Sequence, residues 1–226
     1  MVNKTRSPQR RGDALSRDRI IEAAIGLLDS TGEAGLTFRA LSEQLATGPG
    51  AIYWHIANKG ELLVAACDAV IAATLAACAD GETPEATVRA LAVGMFDAMD
   101  AHPWIGSALI HAAGQLPTVR LFESIGQQVQ ALGVPAGGQW AAVSALWHYI
   151  LGVGGQNAAN RRSAQARDIG REDFLGEASA AWAALDEARY PFTRSLAEQL
   201  RNHDDSADFL AGIDLILGGI KAQAQS

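Results

Sequence analysis

The sequence predicts an all-α fold, with a small N-terminal helical unit followed by a larger helical body. Three observations carry this. Apolar residues recur at helical spacing along most of the chain, as in Val88, Leu91, Ala92, Met95, Phe96 and Met99. No segment sustains the every-second-residue alternation of a half-buried strand. Hydrophobic residues make up 49% of 226 positions, too many for a disordered chain and enough for a sizeable core.

The elements follow in order. Residues 1–14 read as a flexible basic arm. Helical spacing begins after Ser16 with Ile20, Ala24, Leu27 and Leu28, and is expected to end near Gly32. Thr37 is a good N-cap for a second helix carrying Leu41 and Leu45. Ala46-Thr47-Gly48 is a short turn, and Pro49 suits the first turn of a third helix, where its missing N–H costs little. Two short helices joined by a three-residue turn with a glycine make a helix-turn-helix. Asn58-x-x-Glu61 is close to a capping box and should start helix four.

Beyond residue 62 the spacing stays helical. Thr83-Pro84 starts a stripe that ends before His102-Pro103, and a shorter helix is expected over residues 103–114. Phe122, Ile125, Val129 and Leu132 form the next stripe, closed by Gly133 and Pro135. Trp140, Val143, Trp147, Ile150 and Leu151 begin a longer helix running to about Asn160. Residues 161–175, polar and Arg-rich, read as a loop or mobile segment. Helices are expected near 176–188, from Pro191 to Asn202, and from Asp205 to Gln223, about ten in all. The last is apolar over a wide arc, and one core does not cover so broad a surface. Phe209, Ile213, Ile216, Leu217 and Ile220 are therefore assigned to a dimer interface, with full burial in a monomer as the alternative. The domains are then residues 1–14, 15–62 and 63–226.

Charge is unevenly spread. The net charge is −7, yet residues 1–20 carry six Lys/Arg against Asp13 and Asp18, and residues 61–226 carry a net −9. A basic end on an acidic body suits a nucleic-acid-facing end on a body that avoids it. The arm reads either as an added minor-groove or phosphate contact or as a solvated tail. No apolar run reaches the roughly 18 to 20 residues of a membrane span. The basic N-terminus lacks a signal-peptide core, so a cytoplasmic protein with no membrane partner is expected. Cys67 and Cys78, eleven residues apart on one helix and so roughly 16 Å apart, do not pair. They read as small buried hydrophobes, with a redox sensor as the alternative.

Enzyme chemistry finds little support. Gly152-x-Gly154-Gly155 fails the dinucleotide fingerprint, since residue 157 is Asn and no strand precedes it. The histidines lack metal spacing, and no Ser or Cys sits in a nucleophile motif. No cofactor and no metal are expected.

The most specific segment is Leu36–Lys59, LTFRALSEQLATGPGAIYWHIANK. It resembles the TetR family throughout, and its tetracycline-repressor branch most. The resemblance implies a DNA-binding regulator whose third helix enters the major groove. Arg39 matches a base-contacting arginine, Tyr53 and His55 match residues that hold the backbone, and Lys59 matches a phosphate-binding lysine. Thr47, Gly48, Pro49, Gly50 and Ala51 occupy the base-reading positions but offer little side-chain hydrogen bonding, which leaves apolar thymine contact and DNA shape. Trp54 joins this set, though packing is the preferred reading for it.

The resemblance extends to the body, more loosely. It implies a homodimeric repressor that leaves DNA when a small molecule fills the body. Residues 142–152 match the helix with a ligand-contacting histidine, here His148. Gly114-x-x-Pro117-Thr118 matches as well, bringing His111 and Gln115 into the candidate ligand set. The position of a metal-holding glutamate carries Gln156, which makes a metal–tetracycline chelate a poor fit and a neutral hydrogen-bonding ligand a better one. Helical spacing puts Trp140, Ser144, Trp147 and Leu151 on one face, opposite Met95, Phe96, Met99, Trp104 and Phe122. These describe an apolar pocket with a few polar groups, or simply core. His102 reads as a helix-end residue and His203 as a surface one. The other readings are a DNA-binding dimer without an inducer, an activator, and, remotely, an all-α enzyme.

Overall fold

The computed structural model describes residues 15–78 and 81–225; the basic arm lies outside the described residues. Among these residues the chain forms twelve helices and no strand. The first three are α1 (Arg17–Gly35), α2 (Phe38–Gln44) and α3 (Pro49–Tyr53). Each starts where capping chemistry directs it. The Ser16 hydroxyl accepts from the Arg19 N–H and the Thr37 hydroxyl from the Ala40 N–H, at 3.2 and 3.1 Å. Pro49 occupies the first turn of α3. Helix α1 breaks at Gly32, where φ is 67°, and resumes to Gly35. In the turn between α2 and α3 the left-handed residue is Ala46 at φ 48°, while Gly48 is an extended N-cap.

Helix α4 (Lys59–Ala77) belongs to both units. Its buried residues Leu62, Ala66, Cys67, Val70 and Ile71 join Ile20, Ala24 and Leu28 of α1 to Met95 and Leu121 of the body in one continuous apolar cluster. The expectation that no apolar run reaches membrane-spanning length does not hold for this helix: it has 19 residues and a mean hydropathy of 1.7. Its apolar character serves both units at once.

The body is built from α5 (Pro84–Ala101), α6 (Ile105–His111), α7 (Leu116–Ala131) and α8 (Ala136–Ala166). Helix α8 does not end near Asn160. Arg161 pairs with Asp100 of α5 and Ala164 is buried, so both hold its last turns in place. A left-handed Asp168 then leads to α9 (Arg171–Ala183), and the loop expected over residues 161–175 shrinks to four residues. Polar composition had suggested a break, but none of residues 161–166 is a helix breaker. The expected helix from Pro191 is two, α10 (Pro191–Ser195) and α11 (Ala197–Arg201), parted at Leu196, whose N–H bonds tightly back to Thr193. Helices α9 and α11 pack together, and the buried Ser179 hydroxyl donates to the Ala197 carbonyl at 2.7 Å.

Helix α12 (Asp205–Ala224) packs on α5 and α8. Its Phe209 stacks on Phe96 and Tyr149, with centroids 4.7 and 5.6 Å apart. Phe209, Ile213, Leu217 and Ile220 are all buried in this chain's own core, and Ile216 is half-buried against it. The first four are therefore unavailable to a dimer partner, which corrects their assignment. The wide apolar arc is real, but its outward side is a different stripe, with Ala211, Leu215 and Gly218 exposed. Gly212 serves the chain's own packing as well: a Cβ there would lie 1.8 Å from the Tyr149 hydroxyl oxygen.

Gly212→Ala is expected to force the stacked Tyr149 ring from Phe209 and to destabilise the fold by about 1–3 kcal/mol, the usual cost of overpacking. Urea unfolding of the purified variant measures it; an unchanged midpoint would show that α12 has room to shift.

Candidate nucleic-acid interface and the cavity of the helical body

The exposed face of the helix-turn-helix is built from its buried one. Ile52 and Ile56 sit in the core, which turns Tyr53 and Trp54 outward. The Tyr53 ring lies flat on Phe38, centroids 4.4 Å apart and planes within 3°, leaving it 54% exposed with its edge to solvent. Trp54 is 90% exposed and packs against nothing in its own core, against the expectation of packing. Gly48, Pro49 and Gly50 are exposed, while Thr47, Ala51 and His55 are half-buried. Arg39 projects from α2 with its guanidinium on Glu43, one turn along, at 3.0 Å. Both side chains are largely exposed, so water screens the pair and leaves the arginine available.

The segment between α3 and α4 is held by a clamp that the sequence only half disclosed. Asn58 caps α4 by accepting from the Glu61 N–H at 2.9 Å. The return arm of the capping box lands one residue early: Glu61 Oε2 accepts from the Ala57 N–H at 2.8 Å. Arg17 of α1 closes the clamp, donating to the His55 carbonyl and to Glu61 Oε1, each at 2.8 Å. Nothing in the spacing pointed to Arg17, whose partners lie 38 and 44 residues away. Lys59, assigned to phosphate, donates to the Glu33 carbonyl at 2.6 Å and so closes the end of α1. An ammonium has three N–H donors, so this bond leaves others for an anion.

In the body, a groove of about 710 Å³ runs between the end of α6, the start of α7 and the middle of α8. It gathers five expected ligand residues: Phe122, Trp140, Ser144, Trp147 and His148. Phe122 is the hinge of the aromatic wall, 5.5 Å from Trp140 and 6.1 Å from Trp147 between centroids. The other expected residues are elsewhere. Met95 and Met99 are buried in the core, because α5 packs on α4, α7, α8 and α12, and Trp104 is buried at the head of α6 with its indole N–H on Asp29. The Met99 methyl sits against Gly154, where a Cβ would lie 2.1 Å away. His111 and Gln115 are exposed and do not line the groove. Gln156 bonds to Asn160 and lines a separate cavity of about 300 Å³ with Tyr149, Asn157 and His203. Thr118, Val119 and Glu123 line the groove unforeseen, although Thr118 and Phe122 stand one helical turn apart. A larger groove of about 870 Å³ lies between α4 and α5, but its walls are mainly small and aliphatic side chains, with no Phe, Tyr or Trp.

Burial pushes the Cys67 thiol up to about 12, and the adjacent Asp68 adds to this. Cys78 is raised by burial too, and its thiol donates to the Ala90 carbonyl at 3.4 Å. Neither has the thiolate character that a reactive cysteine needs.

Residues 20–66 match the model described as bacterial regulatory proteins, tetR family, and residues 78–224 match the tetracyclin repressor-like C-terminal domain. The chain belongs to the TetR family. It is 54% identical to a solved transcriptional regulator of the TetR type from Streptomyces coelicolor, with a TM-score of 0.84 over 93% of this chain and 100% of that one. It is 28% identical to the tetracycline repressor protein class C of Escherichia coli, covering 92% of this chain and 91% of the relative. ActR of Streptomyces coelicolor, solved in complex with actinorhodin, shares the fold at 21% identity, with a TM-score of 0.76 over 92% of this chain and 96% of that one. This TetR-family protein is accordingly a DNA-binding regulator of transcription and not an enzyme.

The clamp makes a pH prediction. The Ala57 N–H and then the Arg17 guanidinium hold the Glu61 carboxyl below its ordinary value of 4.5. The stability it contributes is fully present above about pH 4.5 and is lost as pH falls through the lower folded value. Glu61→Gln should flatten this part of the acid-unfolding profile followed by circular dichroism; a profile parallel to the wild type would sink the assignment.

Proposed function

We propose that this TetR-family regulator is a homodimeric repressor that a small molecule releases from a palindromic operator. The observation that carries the reading is the aromatic groove between α6, α7 and α8. It lies in the unit that shares α4 with the DNA-facing helices. A ligand filling it displaces α6 and α7, both packed on α4, and α4 begins at the clamp under α3. In a dimer, that changes the spacing of two recognition helices from about 34 Å, one turn of DNA. DNA and ligand then oppose each other by about 1–3 kcal/mol, reciprocally. ActR in complex with actinorhodin supports a ligand for this body as well.

Arg39 and the exposed start of α3 face the bases in this reading, and Tyr53, His55 and Lys59 hold the phosphates, with Trp54 beside them. Gly48, Pro49, Gly50 and Ala51 present few hydrogen-bonding groups, so the operator differs from one read by polar side chains. The outward stripe of α12 meets its copy in the partner. Leu215 is 80% exposed there, and the exposed Gly218 and Gly219 permit close approach. The groove suits a planar aromatic effector, neutral or positively charged: three rings wall it, and Glu123 is its one carboxylate, with no Lys or Arg. The protein works in the cytoplasm, where its operator is.

Tyr53→Phe with His55→Ala should weaken binding to a duplex selected by the wild-type protein about ten-fold or more, as two lost phosphate contacts imply, with the dimer intact. Fluorescence anisotropy and sedimentation measure the two, and unchanged affinity would reassign the grip. Trp147→Ala should keep that affinity yet no longer be released by the planar aromatic compound that releases the wild type. Equal release would move the effector out of the groove.

A further inference from the structure

Outside the DNA-facing set and the groove, one carboxylate joins the two units. Asp29, on α1, accepts two hydrogen bonds on one oxygen, from the Trp104 indole N–H at 2.7 Å and from His102 Nδ1 at 2.8 Å. Both donors lie in the turn between α5 and α6, 73 and 75 residues away. The indole is 4% exposed and the Asp29 side chain is 32% exposed, so this oxygen is only partly screened by water. Trp104 is the N-cap residue of α6, with Ile105 directly behind it in the core. Helix α6 has seven residues, about 10 Å of rigid rod at 1.5 Å per residue. Its far end, at Leu109 and Ile110, lines the aromatic groove.

We propose that Asp29 is a positioning residue that ties α1 of the DNA-binding unit to the head of α6, giving the groove a second mechanical route to the DNA-facing helices beside α4. The arrangement fits this role in three ways. The bonds are charge-assisted and point from the body into α1, so moving α6 along its axis must either carry Asp29 with it or break two strong bonds. The remainder of α1 is also fixed: Arg17 at its start holds the α3–α4 segment, and Lys59 closes its end at Glu33. Between Arg17 and Asp29 the helix is unbroken, so a shift at Asp29 reaches the recognition helix through a stiff segment; the Glu33 contact lies beyond the break at Gly32. The role of the groove in this route rests on the effector reading above. The tie itself does not, and it is tested without an effector.

By reciprocity, DNA held by α3 must alter the head of α6 if the tie transmits. The probe is a duplex selected from a random pool by the wild-type protein, at saturating concentration, and the readout is amide hydrogen exchange over residues 104–111. In the wild type, DNA should slow exchange there by about five-fold or more, while in Asp29→Ala the slowing should fall below about two-fold. Asp29→Asn, which keeps a neutral acceptor for the indole, should lie between them. Glu22→Ala, an exposed carboxylate on the same helix, should match the wild type. Trp104→Phe keeps the ring and removes the indole donor, so it reports on the tie should Asp29→Ala fail to fold. The inference is overturned if DNA does not slow exchange at α6 in the wild type, or if Asp29→Ala or Trp104→Phe keeps the full slowing. Loss of the slowing with effector release unchanged would remove the tie from the effector route and leave the groove reading intact.

Discussion

Helix α4 is packed into both units through one continuous core, and the coupling of the two depends on that. Its buried residues Leu62, Ala66, Cys67, Val70 and Ile71 belong to one apolar cluster, and the helix packs on α1 as well as on α5, α6 and α7 of the body. Two units that share a continuous apolar cluster do not move as beads on a string. Close packing transmits small displacements because it leaves little free volume to absorb them. The clamp of Arg17, Asn58 and Glu61 sits at the N-terminus of this same helix, where the chain leaves α3. A motion of α4 is thus felt first at the residues flanking α3.

The DNA-facing surface combines a rigid frame with a plain reading edge. The Tyr53 ring is stacked on Phe38 and the backbone at His55 is held by Arg17, so the frame that carries the groups proposed to hold phosphates is settled before DNA arrives. Ordering them in advance lowers the entropic cost of binding. The start of α3 is different, with glycine, proline and alanine lying where hydrogen-bonding readers would be informative. In the proposed reading, affinity and sequence choice are therefore carried by different residues.

The helix-turn-helix was legible because its signals are local. Thr37, Pro49 and Asn58 act on backbone groups within three residues of themselves, and each helix begins where they direct it. The aromatic groove was legible in part: Phe122, Trp140, Ser144, Trp147 and His148 do meet, because α7 and α8 pack along the face that their spacing marks. Met95 and Met99 have the same apolar character and the same kind of spacing, but α5 closes on its neighbours and leaves no space beside them, and Trp104 is likewise buried at the head of α6. Composition does not distinguish a lined cavity from a filled one. Trp54 erred in the opposite direction, since a large apolar ring suggests burial and its position at the end of α3 puts it in solvent.

The sequence by itself determined the all-α class, most helix starts, the turn that defines the helix-turn-helix and the family to which the chain belongs. All of these depend on interactions within a few residues or on a contiguous motif. Only the tertiary structure decided which side of α12 is committed to the chain's own core, how far α8 extends, and which carboxylates connect the units. Those outcomes depend on pairs such as Phe96 with Phe209, Asp100 with Arg161, and Asp29 with Trp104. Partners 61 to 113 residues apart leave no periodic trace in the chain; they meet only because the helices between them have already packed.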